Sequence, residues 1–297
     1  MPDFANKPEA GVPLPSGFAP FEFGGDVSDE MHGPAIPMAM ENIRANCARG
    51  LPTLKWQHKA RPEHLLICGG GPSIKEHLGT LKEEIAKGGK VFAINDTHDW
   101  LVDQGIKPDY FGMCEIEPWP INFITKPQKE TMYCLPSLAH TTAFERLKDF
   151  NILLWHCWMG IGEDPEIIKA GSDNQLLISG GEAMSIRAIP LSMVMGYRNF
   201  QMFGVDGSFP EDAATHVYYD RRTDIPEAIL HPREFWHGGK VFLSHHCYAR
   251  QMLDLIRYCR IHGHMFTLKC HGDGLVQHAH KMSFPQQYDE NPPLMEM

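Results

Sequence analysis

Two side chains that could move a proton lie in one loop after a short apolar run. Asp206 ends the run "NFQMFGVD", and His216 follows within the same loop. An imidazole titrates near neutral pH and can act as a general base. A carboxylate at the end of a buried strand is costly unless it is paired, hydrated or bound to a metal. We therefore treat Asp206 and His216 as candidate catalytic residues; the simpler interpretation is a turn aspartate and an exposed histidine.

The same loop continues with donors that suit phosphate or carboxylate groups. They are Tyr218, Tyr219, Arg221 and Arg222. A second candidate group, Glu115 and Glu117, follows another apolar run, where strand alternation would point both side chains to one side. The two glutamates could orient a substrate or bind Mg²⁺, and a solvated strand edge explains them equally well.

Three glycines separate an apolar run from a helical pattern in "LICGGGPSIKEHL". Glycine reaches φ > 0 and lets a ligand approach the main chain. Ser73 and Glu76 have the spacing of a capping box, which would leave the N–H groups of the first turn for an anion. A plain strand-to-helix turn explains the cap but explains three glycines less well. The predicted nucleotide contacts are Gly69, Gly70, Gly71, Pro72 and Ser73.

Neither standard phosphate loop fits this stretch. The Walker pattern needs Lys before Ser or Thr, whereas Lys75 follows Ser73. The dinucleotide fingerprint needs Gly or Ala where Ile74 stands. Asn95 and Asp96 end the next apolar run, where a ribose-binding acid would lie, so an NAD site stays an alternative.

A second glycine-opened helix begins in "SGGEAMSIRAIPLSMVMGY". Pro190 should kink this helix or mark its real start. Its N-terminus offers a second place for an anion, or for the base and ribose of a nucleotide. Gly180 and Gly181 are therefore added to the predicted nucleotide contacts.

The elements that must position these groups alternate between strands and helices. Short apolar runs predict strands in "HLLIC", "KVFAIN", "DYFGMC", "TMYCL", "NILLWHC", "NFQMFGVD" and "MFTLKC". Helical patterns between them indicate an α/β fold with a mainly parallel sheet. Ligands of such sheets bind beyond the carboxyl ends of the strands, where the strand order reverses. The loops expected to matter follow Cys68, Ile94, Met113 and Val205.

Cap residues and composition predict the boundaries. Asp96 and Ser244 precede helical patterns and are expected as N-caps. Residues 1–60 are predicted as an extended N-terminal arm with a short helix at about residues 38–47. Residues 61–280 form the main domain, and residues 281–297 a flexible tail. The apolar residues of the arm allow packing on the domain or on a second subunit, so a homo-oligomer stays open.

Charge and cysteine usage narrow the function classes. The formal net charge is −10, and an acidic chain without a basic run is a poor candidate for nucleic-acid binding. The N-terminus lacks the pattern of a signal peptide, and no segment approaches the roughly 20 apolar residues of a membrane span. Eight cysteines without CxxC spacing are typical of a cytoplasmic protein with reduced thiols.

The 17 histidines raise a metal hypothesis. His245, His246 and Cys247 precede the densest stretch, which runs from His262 to His280. Structural zinc sites usually use short paired spacings such as CxxC or HxxxH, and none occurs here. We therefore interpret these residues as surface and helix-end histidines.

Several motifs together resemble one family. "LLICGGGPSI", "KVFAIN", "GIKPDYFGMCEIEP" and "SGGEAMSIRAIPLSMVMGYRNFQMFGVDGSF" look like the 6-hydroxymethylpterin diphosphokinase MptE-like domain, over roughly residues 61–280. That family includes motility accessory factors linked to flagellin glycosylation. A more distant resemblance is to bacterial sialyltransferases with a Gly-x-Gly-Pro-Ser loop.

The resemblance implies a Rossmann-like fold, with helices on both faces of the sheet and a nucleotide at the Gly-Pro-Ser loop. It places Asn95 close to that nucleotide and Asp206 in the active crevice, and His216 matches the sialyltransferase base. Two departures are visible. Glu115 or Glu117 stands where the family usually has aspartate, and Gly70 stands where the sialyltransferase loop has Asn.

Three functions remain open. A glycosyltransferase would use a nucleotide-sugar donor, with His216 taking the acceptor's proton. A pyrophosphokinase would move diphosphate from ATP to a hydroxymethylpterin-like acceptor, with Mg²⁺ on Asp206 and on Glu115 or Glu117. A non-catalytic nucleotide-binding module is the third. The family context favours sugar transfer, and the acceptor is left open.

Overall fold

The computed structural model describes residues 35–118, 124–158, 176–180, 183–209 and 233–288. The strands there are β1 Leu65–Cys68, β2 Lys90–Ile94, β3 Tyr110–Gly112, β4 Met132–Pro136, β5 Asn151–Cys157, β6 Leu177–Ile178, β7 Asn199–Phe203, β8 Arg233–His237, β9 Lys240–Ser244 and β10 Thr267–Cys270. The helices are α1 Ala35–Cys47, α2 Ser73–Glu76, α3 Leu78–Ala86, α4 Thr97–Asp103, α5 Thr141–Arg146, α6 Met184–Val194, α7 His246–His262 and α8 Leu275–Ser283. Two 3₁₀ turns lie at Gly263–Met265 and Pro285–Tyr288.

Eight strands form one parallel sheet in the order β10-β7-β1-β2-β3-β4-β5-β6. The chain therefore builds from β1 to β6 in one direction and then returns to place β7 on the other side of β1. This reversal makes the gap between β1 and β7 the switch point of the sheet. The prediction of an α/β fold with a mainly parallel sheet is confirmed.

Alternate residues of β1 show why helices cover both faces. Leu66 and Cys68 pack in a cluster with Leu81 of α3 and Leu101 of α4. Leu65 and Ile67 point to the other face, where the apolar residues of α6 and α7 cover them. A strand buried on both faces must be apolar throughout, as the run "LLIC" is. Each such Leu or Ile stabilises the fold by roughly 1.5–3 kcal/mol.

Residues 35–60 belong to this fold rather than to an arm. Asn46 of α1 donates through Nδ2 to the carbonyls of Ser137, at 2.9 Å, and Ala139, at 2.7 Å. The Leu54 N–H donates to the Leu154 carbonyl at 2.7 Å. The predicted helix at residues 38–47 is confirmed as α1. The arm itself, residues 1–34, lies outside the described residues.

The C-terminal part is more ordered than predicted. The sequence pattern predicts a flexible tail from residue 281 and no helix between the last strand and this tail, yet α8 and a 3₁₀ turn continue to Tyr288. The Tyr288 hydroxyl accepts a bond from the Cys270 N–H at 3.2 Å and lies 2.8 Å from His280 Nδ1. These contacts tie the last described turn to β10 and α8. The antiparallel hairpin β8–β9 was also not predicted.

Two helix boundaries differ from the expectation. Ser244 ends β9, and α7 begins at His246 with His245 as its cap, so the predicted Ser244 cap is wrong. The Ser244 hydroxyl instead donates to the Gly207 carbonyl at 2.6 Å. Helix α6 runs through Pro190, so a start at the proline is wrong as well. Among the described helices, none has the length and apolar character needed to cross a membrane.

Candidate active-site cleft

The loops after β1, β2, β3 and β7 meet in one cleft at the switch point. Its lining includes residues that follow Cys68, Ile94, Met113 and Val205, as the sequence predicted. The cleft has a volume of about 200 Å³. Ligand sites usually span about 300–1,000 Å³, so the cleft between the described residues is smaller than a typical ligand site.

Two glycines of the β1 loop are required by a close approach to the β7 loop. A Cβ on Gly69 would lie 2.6 Å from the Gly204 carbonyl oxygen, and one on Gly71 would lie 2.5 Å from Asp206 Oδ2. The Gly71 N–H donates to the Gly204 carbonyl at 2.7 Å. The glycines line the cleft, but the contact that excludes a side chain at Gly69 and Gly71 is made by the protein itself.

Asp206 joins three segments of the chain. Its Oδ2 accepts from the Ser73 N–H at 2.9 Å, and its Oδ1 accepts from the Ser73 hydroxyl and from Gln277 Nε2, the latter at 2.7 Å. The residue is only 5% exposed. Burial raises the pKa of its carboxyl group, while the hydrogen bonds from Ser73 and Gln277 act in the opposite direction. Asp206 thus lines the cleft and also fixes the β1 loop against the β7 loop and α8.

The capping box predicted for the β1 loop is wrong. Pro72 takes the N-cap position without a side-chain cap bond, and Ser73 turns its hydroxyl to the carboxylate described above. The next two N–H groups, of Ile74 and Lys75, donate to the carbonyls of Gly71 and Pro72, both at 3.2 Å. The N–H groups in the first turn of α2 therefore donate to acceptors of the protein itself. A carboxylate of the chain takes the place predicted for a ligand anion.

Asn95 carries the clearest sign of function in the cleft. It follows β2 at φ 50°, a left-handed conformation that few residues other than glycine adopt. Its side-chain oxygen is buried without a hydrogen-bond partner among the described residues. Strain and an unsatisfied polar atom at a cleft are typical of functional positions. Asp96 does not line the cleft, and its side chain makes no cap bond to α4.

The β3 loop and the N-terminus of α6 also line the cleft. Cys114, Glu115, Ala183, Met184 and Ser185 line it. Glu117 is exposed and outside the lining, because the chain leaves the strand after β3 and alternation no longer applies. The expectation that both glutamates face one side is therefore wrong.

Gly180 serves the packing of α6 instead of lining the cleft. It has φ 129°, and a Cβ there would lie 3.1 Å from the Cα of Arg187. Gly181, His216, Tyr218, Tyr219, Arg221 and Arg222 lie outside the described residues. Their predicted roles therefore stay predictions.

Sequence reasoning missed several residues of the cleft. Tyr248 and Gln251 of α7 line it, and Gln277 of α8 supports Asp206. Cys114 Sγ lies 3.8 Å from Cys157 Sγ. Their mutual hydrogen bond and burial raise the pKa of the Cys114 thiol, which therefore stays protonated near neutral pH. The contacts with Gln277 and Cys157 span 71 and 43 residues of chain, and no local pattern signals them.

Matches among the solved structures include the following two. The MAf glycosyltransferase of Magnetospirillum magneticum AMB-1 aligns with a TM-score of 0.62 and 14% identity, over 80% of this chain and 37% of that one. The chain thus spans about a third of the glycosyltransferase's length, and the likeness shows the fold. The sialyltransferase CstII of Campylobacter jejuni matches at 11% identity over 71% of this chain and 80% of its own, with a TM-score of 0.29. A search of curated protein sequences gives no match.

A family model described as 6-hydroxymethylpterin diphosphokinase MptE-like matches residues 38–212. The matched range includes the β1 loop, Asn95, Glu115 and Asp206. The family description names a diphosphokinase, which is a transferase, so the family match supports a transferase at a general level. The match spans more than half of the 297 residues, and the chain therefore belongs to the 6-hydroxymethylpterin diphosphokinase MptE-like family.

Proposed function

We propose that the chain is a glycosyltransferase that takes its sugar from a nucleotide-sugar donor. The observation that carries the proposal is the cleft at the β1–β7 switch point, whose lining includes both Asn95 and the N-terminus of α6. Asn95 offers a buried amide oxygen without a partner among the described residues, and α6 offers a helix start. This pairing suits a ligand that has hydrogen-bonding groups at one end and phosphate at the other.

In this proposal the phosphates bind at α6 rather than at the glycine-rich loop. The N–H groups of α2 already donate within the protein, as described above. The first turn of an α-helix has N–H groups without intrahelical acceptors, and α6 presents its first turn, Ala183–Ser185, to the cleft. Asn95 then binds the base or the ribose, and Glu115 accepts from a sugar hydroxyl.

In the transfer step, His216 acts as the general base for the acceptor. The bond between the sugar and the donor phosphate breaks, a bond to the acceptor oxygen forms, and His216 accepts the proton that this oxygen loses. The nucleotide leaves with the bonding electron pair, and Tyr218 and Arg221 stabilise its charge. Asp206 acts by holding the β1 loop, since Ser73 and Gln277 already donate to both of its oxygens.

A ligand screen by thermal unfolding tests the proposal. Nucleotides and nucleotide sugars are added at concentrations far above a plausible Kd, with and without Mg²⁺. Binding to the native state at a hundred times Kd stabilises it by about 2.7 kcal/mol, which raises Tm. Asn95→Ala should reduce this shift by about half or more, whereas Asn199→Ala, at the exposed opposite end of β7, should keep it. If no nucleotide raises Tm, the proposal is wrong.

Product mass separates the remaining activities. A glycosyltransferase adds a glycosyl unit to its acceptor. The diphosphokinase named by the family model is the second candidate, and it would add two phosphates and release AMP from ATP. His216→Ala should bind nucleotide and lose turnover in the first case. Binding without turnover of any donor would identify a nucleotide-binding module.

A further inference from the structure

Three metal-ligating side chains converge at the start of α7. His245 is the extended N-cap, and His246 and Cys247 follow in the first turn. One ligand atom from each residue lies within 4.8 Å of the other two. His246 Nε2 lies 3.3 Å from Cys247 Sγ, and the two histidine rings are 4.0 Å apart between centroids. Consecutive side chains usually diverge, and here the change from extended cap to helix brings them together.

The distances suit a tetrahedral ion after a small adjustment. Zn–S bonds of about 2.3 Å and Zn–N bonds of about 2.0 Å place ligand atoms roughly 3.3–3.6 Å apart. The His246–Cys247 separation already has this value. The wider separations need side-chain rotation of roughly 1 Å, and the cap bond from the Cys247 N–H to His245 Nδ1 is long, at 3.4 Å. Coordination by His245 Nδ1 would replace this bond.

The ligand set selects the metal. One thiolate and two imidazoles favour Zn²⁺ and similar borderline-soft ions, whereas Mg²⁺ prefers oxygen ligands. The N-terminus of a long helix stabilises a thiolate and disfavours a bare positive charge. Cys247 should therefore contribute more to binding than either histidine.

The cluster adjoins the cleft. Tyr248, the next residue, lines the cleft, and its ring lies 6.4 Å from that of His245. The Phe209 ring, also in the lining, packs against Tyr248 at 5.5 Å. A metal on this cluster therefore stands at the rim of the cleft, with a fourth position for water or a further ligand.

We propose that His245, His246 and Cys247 form a Zn²⁺ site at the rim of the cleft. The proposal does not rest on sugar transfer. This proposal replaces the interpretation of these residues as plain surface histidines. The start of α7 brings their ligand atoms together, which the sequence does not show because their spacing follows no usual zinc motif.

Cobalt titration of the full chain tests the site. Co²⁺ bound to a thiolate in a tetrahedral site gives a near-ultraviolet charge-transfer band and visible bands, and Zn²⁺ should displace it at one equivalent. Cys247→Ser should abolish the charge-transfer band and weaken Zn²⁺ binding more than about tenfold. Cys47→Ser removes a half-buried thiol of α1, and His58→Ala an exposed histidine, so both should leave the band unchanged.

Two further variants keep the result decisive. His246 is exposed, so His246→Ala should fold normally and still lower Zn²⁺ affinity. Cys114→Ser tests the other close thiol pair. The proposal is overturned if the folded chain binds no Zn²⁺, if the band persists in Cys247→Ser, or if Cys114→Ser removes the band instead.

Discussion

The two glycine-opened turns of the molecule, Gly69–Gly71 before α2 and Gly180 before α6, share a sequence pattern and differ in what they contact. The first turn touches a distant loop, at the Gly204 carbonyl and the Asp206 carboxylate. The second has a positive φ and packs on its own helix. A glycine before a helix therefore does not identify a ligand cradle, because the neighbouring atom decides its purpose.

The helices that follow the two turns differ in whether their first turns are available to a ligand. The glycine-rich turn with the stronger phosphate signature leads to a helix whose first N–H groups donate within the protein. The turn with the weaker signature leads to α6, whose first turn borders the cleft. The difference arises from Asp206, whose carboxylate accepts from the start of α2.

Gly71→Ala should have the largest effect. Its Cβ would lie 2.5 Å from Asp206 Oδ2 and 2.8 Å from the Gly204 carbonyl oxygen. Neither atom can move away easily, because the Ser73 N–H holds the first and the second belongs to the main chain. Overpacking of this kind lowers the free energy of unfolding by about 3 kcal/mol and should abolish nucleotide-sugar binding. Urea denaturation and calorimetry measure the two effects.

Gly79→Ala is the matched control for Gly71→Ala. Gly79 lies in α3, and a Cβ there meets nothing within 4 Å. Alanine should raise the free energy of unfolding by roughly 0.5–1 kcal/mol, because glycine is unfavourable inside a helix. Equal destabilisation by both substitutions would contradict a close approach of the two loops.

Gly180→Ala should destabilise without a matching loss of affinity. The conformation at φ 129° costs a residue with a Cβ about 1–3 kcal/mol. Gly180 does not line the cleft, so the Kd measured well below Tm should change less than in Gly71→Ala. An affinity loss as large as that of Gly71→Ala would assign both turns to the ligand.

Acid should lower the free energy of unfolding through His271, which lies on the same side of the cleft as the Gly69–Gly71 turn. The ring of His271 stacks on Phe203 at 4.2 Å, and the His271 carbonyl accepts from Gln277. Burial lowers the pKa of His271 from 6.5 to about 4. The unfolded chain therefore binds this proton at a higher pH than the folded chain, and stability is lost as pH falls from about 6.5 to 4.

The matched variant for the acid effect is His271→Phe, which keeps the stack. Between pH 7 and pH 4.5, the free energy of unfolding should fall less in His271→Phe than in the unmodified chain. The expected difference is roughly 1 kcal/mol, because the partial exposure of His271 reduces the effect of its pKa shift. Burial also lowers the pKa of His156 and His280 to about 4, so part of the acid sensitivity should remain. Denaturation at the two pH values measures this, and identical losses would rule out His271 as a source.

Ser73→Ala compares the two helix starts directly. Removing the hydroxyl takes one donor from the buried Asp206 carboxylate and should cost about 1–2 kcal/mol. Ser185→Ala, at the start of α6, should lower stability less than Ser73→Ala does and should weaken nucleotide-sugar binding. The reverse pattern would show that α2, and not α6, holds the ligand.

The sequence predicts the scaffold of the cleft well, for a physical reason. Each strand of a sheet covered on both faces must be an apolar run, so the strands are visible as "LLIC" or "KVFAI" without any knowledge of their partners. Once the strands are parallel, the ligand side of the sheet and its loops follow from geometry. The loops after Cys68 and Ile94 were located in this way.

The sequence does not predict which groups in those loops are already engaged. Ser73 has the spacing of a cap, yet a carboxylate 133 residues later competes for its hydroxyl. Gln277 and the start of α7 reach the site through long-range packing. Local patterns state what a residue can do, whereas burial and distant partners decide what it does.

Asn95→Gly should have a small effect on stability and a clear effect on binding. Glycine adopts φ 50° without steric cost, and its greater freedom in the unfolded chain offsets part of that gain, so the free energy of unfolding should rise by no more than about 1 kcal/mol. Loss of the side-chain amide should weaken nucleotide-sugar binding more than about tenfold. Asn95→Asp tolerates the same backbone conformation and serves as the size-matched control. Binding of unchanged strength in Asn95→Gly would remove the amide from the ligand site, and marked destabilisation would assign the side chain to the fold.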